Sequence, residues 1–304
     1  MCQHNHNHGS AAGTSTKRLF ATMTLNLVIT AAEAVGGILS GSLSLLSDAM
    51  HNFSDAVAVI ISYIAIKMRE KPNSAEKTFG YKRAELLAAV INASVLLFIS
   101  VYLVYESIER FIEPQPIDGL VMTLVASVGL AANVAGTLLL RKGAKDNVNI
   151  RSAYIHLFSD AVSSVAVIAG GAAIYFFGIY WLDPVLTLLI SAYVIKECYG
   201  ILSEVTHILM ESTPANISVS GIKDRIETID GVADIHHVHV WSVDEHDIHF
   251  EAHVNTEKDI KVSESDILRQ RIEQILHDSF GINHSAIQFE FHCCSDNNLI
   301  KQRL

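Results

Sequence analysis

Long apolar runs and short polar connections alternate over the first two thirds of the chain. The runs cover about Leu19 to Leu39, Leu43 to Ile66, Ala84 to Ile108, Ile117 to Leu140, Ala153 to Phe177 and Leu182 to Leu209. Each is near or above the roughly 20 residues that a helix needs to cross a bilayer, so the pattern predicts six membrane spans. Ser40, Gly41 and Ser42 punctuate the first turn, and Pro114 and Pro116 break the chain between the third and fourth runs. After Pro214 the period changes. Ile217 to Ile229 reads as an amphipathic helix, and Asp234 to Val243 as a strand of alternating residues. A second strand, Asp247 to Asn255, is expected to bury Ile248, Phe250, Ala252 and Val254 and to turn out His249, Glu251 and His253. A helix from Ser263 to Phe280 opens with the capping-type run Ser263-Glu264-Ser265-Asp266, and a strand from Ser285 to His292 puts Ile287, Phe289 and Phe291 inward. Helix, two strands, helix and strand make a small α+β sandwich.

Composition adds a division of labour. The 304 residues are 50% hydrophobic, too apolar for a soluble chain of this size, yet the final third is polar. The formal net charge of −10 sits largely in that third, where acidic residues and His cluster between Asp224 and Glu290. This balance argues against nucleic acid and is compatible with cations as partners. Cys2, Cys198, Cys293 and Cys294 form no visible disulfide framework, which fits a reducing compartment for the soluble part. The opening residues contain His4, His6 and His8 and no cleavable signal. They read equally as a metal-gathering tail or as a polar segment that tolerates His. The expected organisation is a tail over 1–17, a membrane domain over 18–210, a cytoplasmic metal-binding and dimerisation domain over 211–292, and a tail over 293–304.

The candidate chemistry lies inside the apolar runs. His51 and Asp55 on the second, and His156 and Asp160 on the fifth, both have the spacing His-x-x-x-Asp. Four residues is just over one helical turn, so each pair shares a helix face and offers half a metal site. Together they supply two imidazole nitrogens and two carboxylate oxygens, a set that suits tetrahedral zinc. Ordinary intramembrane polar residues satisfied by neighbouring helices are the plain alternative for one pair; the repetition favours a cation pathway. At about 1.5 Å per residue, His51 lies ~12 Å inside the outer end of its run and His156 only ~5 Å from the inner end of its own. The pairs therefore meet only if the fifth helix begins before Ala153, and it is expected to do so. Asp48, one turn before His51, is an outer-shell partner for the imidazole or an unrelated interior carboxylate. Asn52, Asn92 and Asn133 are expected to form interhelical hydrogen bonds. Lys196, Glu197 and Glu204 interrupt the sixth run, where snorkelling or helix pairing is expected rather than a second pathway.

Lys and Arg set the orientation. Lys17 and Arg18, then Lys67, Arg69, Lys71, Lys77, Lys82 and Arg83, then Arg141, Lys142, Lys145 and Arg151 lie on one side, against Arg110 alone on the other. The positive-inside bias makes both termini and the final domain cytoplasmic.

These features resemble a known family. The spans, the paired His-x-x-x-Asp, Phe79-Gly80-Tyr81-Lys82-Arg83-Ala84-Glu85 and His236-His237-Val238-His239-Val240-Trp241 are similar to the cation diffusion facilitators, in their zinc-transporting branch. The resemblance implies six transmembrane helices with a ferredoxin-like, metallochaperone-like cytoplasmic domain, in a multi-pass protein of the inner (plasma) membrane. It implies a homodimeric antiporter that exports Zn2+, with Cd2+ and Co2+ able to share the site, in exchange for H+ by alternating access. His51, Asp55, His156 and Asp160 become the transport site. His236, His253 and Glu290 fall where relatives bind regulatory metal, with Asp266 and Gln288 where further His would be sought; His237, His239, His249, His292, Cys293 and Cys294 are other candidates. Arg83 and Glu211 match a charge pair that holds the dimer, or are two separate surface charges. The stretch Ser74 to Tyr81 lacks His, so a metal site that some relatives have there is expected to be missing, and the short 141–151 connection favours a bacterial-type member.

Other classes remain in view. An intramembrane metalloprotease would want His-Glu-x-x-His, which does not occur in the chain, so no enzyme is expected. A membrane-anchored metal sensor, whose cytoplasmic domain has the function, is the alternative to a transporter.

Overall fold

The computed structural model describes residues 9–141, 148–244, 247–292 and 298–300. The tail with His4, His6 and His8, and Cys293 and Cys294, lie outside them. The fold class is the expected one: long apolar helices followed by a small domain with one three-stranded sheet. The long helices are α1 (Gly9–Ser40), α2 (Leu43–Arg69), α3 (Ala84–Ile112), α4 (Gly119–Leu140), α5 (Val148–Phe177) and α6 (Leu182–Leu209). Over the described residues α2 to α6 are long and apolar enough to span a membrane, and Asn26–Ser40 is the shorter apolar part of α1. The fifth helix begins at Val148, earlier than its apolar run. The chain divides into two compact units, Met1–Ile64 with Ala88–Ile201, and Ala65–Leu87 with Leu202–Leu304.

In the first unit, large apolar side chains such as Phe98, Tyr105, Phe158, Phe176 and Leu189 are exposed, as a lipid-facing surface requires. Helix α4 packs between α1 and α5. Its approach to α5 is close because Gly119 faces Gly171: a Cβ on Gly119 would lie 2.6 Å from the Gly171 carbonyl oxygen and 2.6 Å from the Tyr175 nitrogen. Small residues permit this backbone contact where no hydrophobic drive separates helix from lipid.

The start of α2 is fixed by a residue 140 positions away. Asp183, wholly buried at the head of α6, accepts the Leu43 N–H at 2.8 Å and the Ser44 N–H at 3.2 Å. The Ser42 and Ser44 hydroxyls donate to the same carboxylate at 2.6 and 2.5 Å. Helix starts leave N–H groups without partners, which is costly in hydrocarbon, and Asp183 satisfies them. Arg110 of α3 closes the preceding turn, donating from Nη1 to the Gly41 carbonyl at 2.5 Å.

The second unit contains α7 (Val219–Ile226), β1 (Val232–Ser242), β2 (Ile248–Thr256), α8 (Val262–Phe280) and β3 (His284–Glu290). Strand order is β1-β2-β3, with β1 antiparallel and β3 parallel to β2. Ile222 and Ile226 of α7 and Leu268, Ile272 and Leu276 of α8, at helical spacing, cover Ile235, Val238, Val240, Phe250, Ala252 and Val254 of the sheet. Each of these Ile, Val, Leu and Phe side chains, fully buried, contributes about 1.5–3 kcal/mol. Helix α8 starts one residue earlier than the Ser263 run implied, with Lys261 as N-cap; Glu264 accepts the Lys261 N–H at 3.0 Å. Phe291, expected inward, is exposed because β3 ends at Glu290. His249, expected outward, is buried: its ring meets Trp241 of β1 at 5.5 Å, His284 of β3 at 4.4 Å and Phe79 at 5.3 Å. The connection that contains Phe79 is also joined to the β1–β2 turn by charge. Arg69 pairs with Asp244 at 3.0 Å and Lys82 with Asp247 at 2.8 Å.

Candidate metal centres

In the membrane unit, α2 and α5 bring the two predicted pairs together. The Asp55 Oδ2 lies 3.2 Å from His156 Nε2 and 3.7 Å from His51 Nε2, and Asp160 Oδ2 lies 3.5 Å from His156 Nε2. The His51 and His156 ring centroids are 6.0 Å apart. One ligand atom from each of His51, His156 and Asp160 lies within 4.8 Å of the others. Among the described residues, the Oδ2 atoms of Asp55 and Asp160 and the His51 Nδ1 are buried without a well-formed hydrogen bond. Buried acceptors of this kind need a partner, and nitrogen with carboxylate oxygen at these separations fits one divalent cation. The early start of α5 places His156 well inside its helix, which is why the two halves meet.

A cavity of about 540 Å³ adjoins this set, bordered by Asp48, His51, His156, Asp160, Tyr193 and Glu197 among others. Glu197, which the sequence assigned to snorkelling or helix pairing, borders the same space, its Oε1 accepting from the Tyr193 hydroxyl at 2.5 Å. Asp48 is buried and accepts from Ser163 at 3.3 Å, while no hydrogen bond joins it to the His51 ring. Glu33 of α1 stands outside both His-x-x-x-Asp pairs. It is buried, its Oε2 accepting from Asn52 Nδ2 at 3.1 Å, with Asp48 and Asp160 as electrostatic neighbours. The lone acid in the first apolar run was the available signal. Asn52 and Asn92 do bond across helices, the latter accepting from Ser54 at 3.3 Å. Asn133 does not: neither side-chain atom of this buried residue has a hydrogen-bond partner among the described residues.

The second unit gathers a second set. Glu290 is buried, with Oε1 2.7 Å from His253 Nδ1 and Oε2 3.4 Å from His236 Nε2. Sheet register accounts for this: His236 stands opposite His253, and Glu290 opposite Asn255, two residues further along the same face of β2. Asp234 holds His236 Nδ1 at 2.7 Å and accepts from Asn255 Nδ2 at 2.8 Å, which leaves His236 Nε2 facing the set. Carboxylates in that position fix the tautomer and orientation of metal-binding imidazoles. Gln288 donates to Glu290 Oε1 at 2.7 Å, an orienting rather than a ligating contact. Among the described residues, the His236 Nε2 is buried without a hydrogen bond. His237 packs on the same set, and Asp266 is apart from it, exposed and 3.5 Å from Arg269.

Arg83 and Glu211 meet within one protomer, Nη2 to Oε1 at 3.2 Å, so they are not separate charges. Outside the membrane, Lys82 holds the Asp247 carboxyl below its usual range. Burial, with His284 and Lys82 adding to it, pushes the His249 imidazole down.

Comparison with known proteins covers almost the whole chain. Residues 19–210 match the family model described as the cation efflux transmembrane domain, and residues 214–292 that of the cation efflux protein, cytoplasmic domain. A cadmium, cobalt and zinc/H(+)-K(+) antiporter of Bacillus velezensis is 38% identical over 98% of this chain and 95% of its own length. The zinc transporter ZitB of Pectobacterium atrosepticum is 37% identical over 96% of this chain and 91% of its own. Among solved structures, the metal-bound C-terminal domain of the CzcD transporter is 27% identical and covers 24% of this chain and 99% of that one, with a TM-score of 0.22.

Proposed function

The chain belongs to the cation efflux family, a family of multi-pass metal transporters, and on that premise we propose that it exports Zn2+ from the cytoplasm in exchange for protons, through His51, Asp55, His156 and Asp160. The observation that carries the proposal is the convergence of two imidazoles and two carboxylates from α2 and α5 inside the membrane unit. Two His ligands favour zinc over manganese or magnesium, which prefer oxygen, and admit Cd2+ and Co2+. The names of the relatives agree in zinc, and that of the Bacillus velezensis relative adds cadmium, cobalt and antiport.

Coupling follows from the ligands themselves. Imidazole binds metal only when neutral and carboxylate only when ionised, so metal entering from the cytoplasm displaces protons from the set. On the opposite side, protons from a more acidic solution compete with the metal and release it. Alternating exposure of one site to the two solutions then converts a proton gradient into metal efflux. The His236, His253 and Glu290 set binds a second zinc that regulates transport, and the protein works as a homodimer with both termini in the cytoplasm.

Zinc uptake into sealed proteoliposomes under an imposed pH gradient tests this, with Asp160→Ala as the comparison. Gradient-dependent flux that vanishes in the variant, with the folded protein retained, is the expected result. Equal flux in both, or none in folded wild type, overturns it in favour of a membrane-anchored sensor.

A further inference from the structure

Successive residues of a strand face opposite sides of the sheet, so the neighbours His236 and His237 should diverge. In β1 they converge. Between the pairs His236↔His253 and His239↔Glu251, two residues of β1 stand opposite one of β2. This is a bulge. His237 has φ 50°, in the left-handed region that residues with a Cβ seldom hold. The inserted residue resets the alternation, so that Ile235, Val238 and Val240 all reach the helix-covered core. Both imidazoles are buried on the site side, 4.8 Å apart by ring centroid, and that of His237 is 5.0 Å from His253. One ring nitrogen from each of His236, His237 and His253 lies within 4.8 Å of the others.

The bulge has an external support. In a regular strand, successive N–H groups point to opposite neighbours. Here the His237 N–H donates to the Asn298 carbonyl at 3.2 Å and the Val238 N–H to the Leu299 carbonyl at 2.8 Å. The end of the chain therefore grips both N–H groups at the point where the strand departs from regular geometry.

We infer that His237 is a protein ligand of the cytoplasmic metal site, forming a three-imidazole set with His236 and His253 beside Glu290, and that Asn298–Leu299 is the strap that keeps the bulge in ligating shape. This rests on the reading that the pocket binds metal. Three imidazoles and one carboxylate suit Zn2+ or Co2+ and not the harder Mg2+ or Ca2+. Because strap and metal favour the same backbone, each strengthens the hold of the other by the same factor.

The test is Co2+ titration of the full chain in detergent, with the transport site disabled by Asp55→Ala and Asp160→Ala. Visible absorption reports the ligand set, and Zn2+ competition gives the affinity. His236→Ala should abolish the signal. His237→Asn, which tolerates the left-handed backbone but offers no imidazole, should change the spectrum and weaken binding by more than about 100-fold, beyond the usual loss for an outer partner. His237→Gly, free of backbone strain, should do the same with the fold retained. Truncation after Ser295 should weaken binding roughly 10–100-fold, as for a supporting contact, and leave the saturated spectrum unchanged. Wild-type spectrum and affinity in both His237 variants, with loss in His236→Ala, would overturn the inference while the pocket remains a metal site. No effect of His236→Ala would overturn both.

Discussion

Asp183 at the head of α6 accepts the backbone N–H of Leu43 at the head of α2, at 2.8 Å, eight residues before His51. The same carboxylate takes the Ser44 N–H and two hydroxyls, so it sets both the start and the rotation of the helix that presents His51 and Asp55. A shift at this end would turn both ligands away from His156. Asp183→Ala leaves two helix N–H groups buried without acceptors, and charge-assisted bonds contribute about 1.5–3 kcal/mol each. We expect it to lose thermal stability in detergent by several degrees and to transport weakly. Asp183→Asn keeps an acceptor oxygen and should retain most of both. Thermal unfolding and liposome flux of the two variants, side by side, check this; equal behaviour would mean that the charge, not the cap, is what matters.

Glu211 lies two residues past the end of α6, just after Met210, and holds φ 57°. The Ser212 N–H reaches the His207 carbonyl and the Glu211 N–H that of Ile208, the bonding of a helix end that normally recruits Gly. The left-handed backbone costs about 1–2 kcal/mol with a side chain present. Against this stands the Arg83 pair, half exposed on both sides and so contributing only about 0.2–1 kcal/mol. The backbone term is larger, so Glu211→Gly should raise thermal stability slightly, and an Arg83→Ala, Glu211→Ala cycle should give a coupling below about 1 kcal/mol. If the pair also serves as a dimer interlock, Glu211→Gly will lower the dimer fraction at the same time. Size-exclusion with light scattering separates the two effects.

How much was legible in the sequence follows from distance along the chain. His51 with Asp55, and His156 with Asp160, announce themselves because one helical turn joins each pair, and α5 had to start early for them to meet. Asp183 gave no such signal, since its partners are 140 residues earlier and the contact exists only once α2 and α6 pack. Glu33 was visible as an isolated acid in an apolar run, yet its partner Asn52 could not be named without the packing. In the second unit, the run Ile235-His236-His237-Val238-His239-Val240 holds two polar residues in succession where alternation allows one. That slip is the trace of the bulge, and it was read as regular strand. His249 was assigned to solvent by alternation alone, because the residue that covers it, Phe79, belongs to a connection nearly 170 positions earlier.

The surroundings of His249 make the second unit sensitive to acid in a defined direction. Its ring is packed among Trp241, His284 and Phe79, with Lys82, Asp247 and Asp244 as the nearest charges. Burial lowers its pKa in the folded state, with His284 and Lys82 contributing and the two aspartates opposing. The unfolded chain therefore takes up a proton more readily than the folded one. Stability from the neutral ring is fully present above the unfolded value of about 6.5 and falls as pH drops through the lower folded value. His249→Phe keeps an aromatic ring in the same contacts and removes the titration. Unfolding in the presence of chelator, followed by Trp241 fluorescence in a Trp181→Phe background, should show a smaller loss of stability between pH 7.5 and 5.5 for the variant, as expected for a His that titrates in that range. Parallel curves for the two proteins would assign the acid sensitivity to other histidines, while a steeper curve for His249→Phe would reverse the sign argued from its burial.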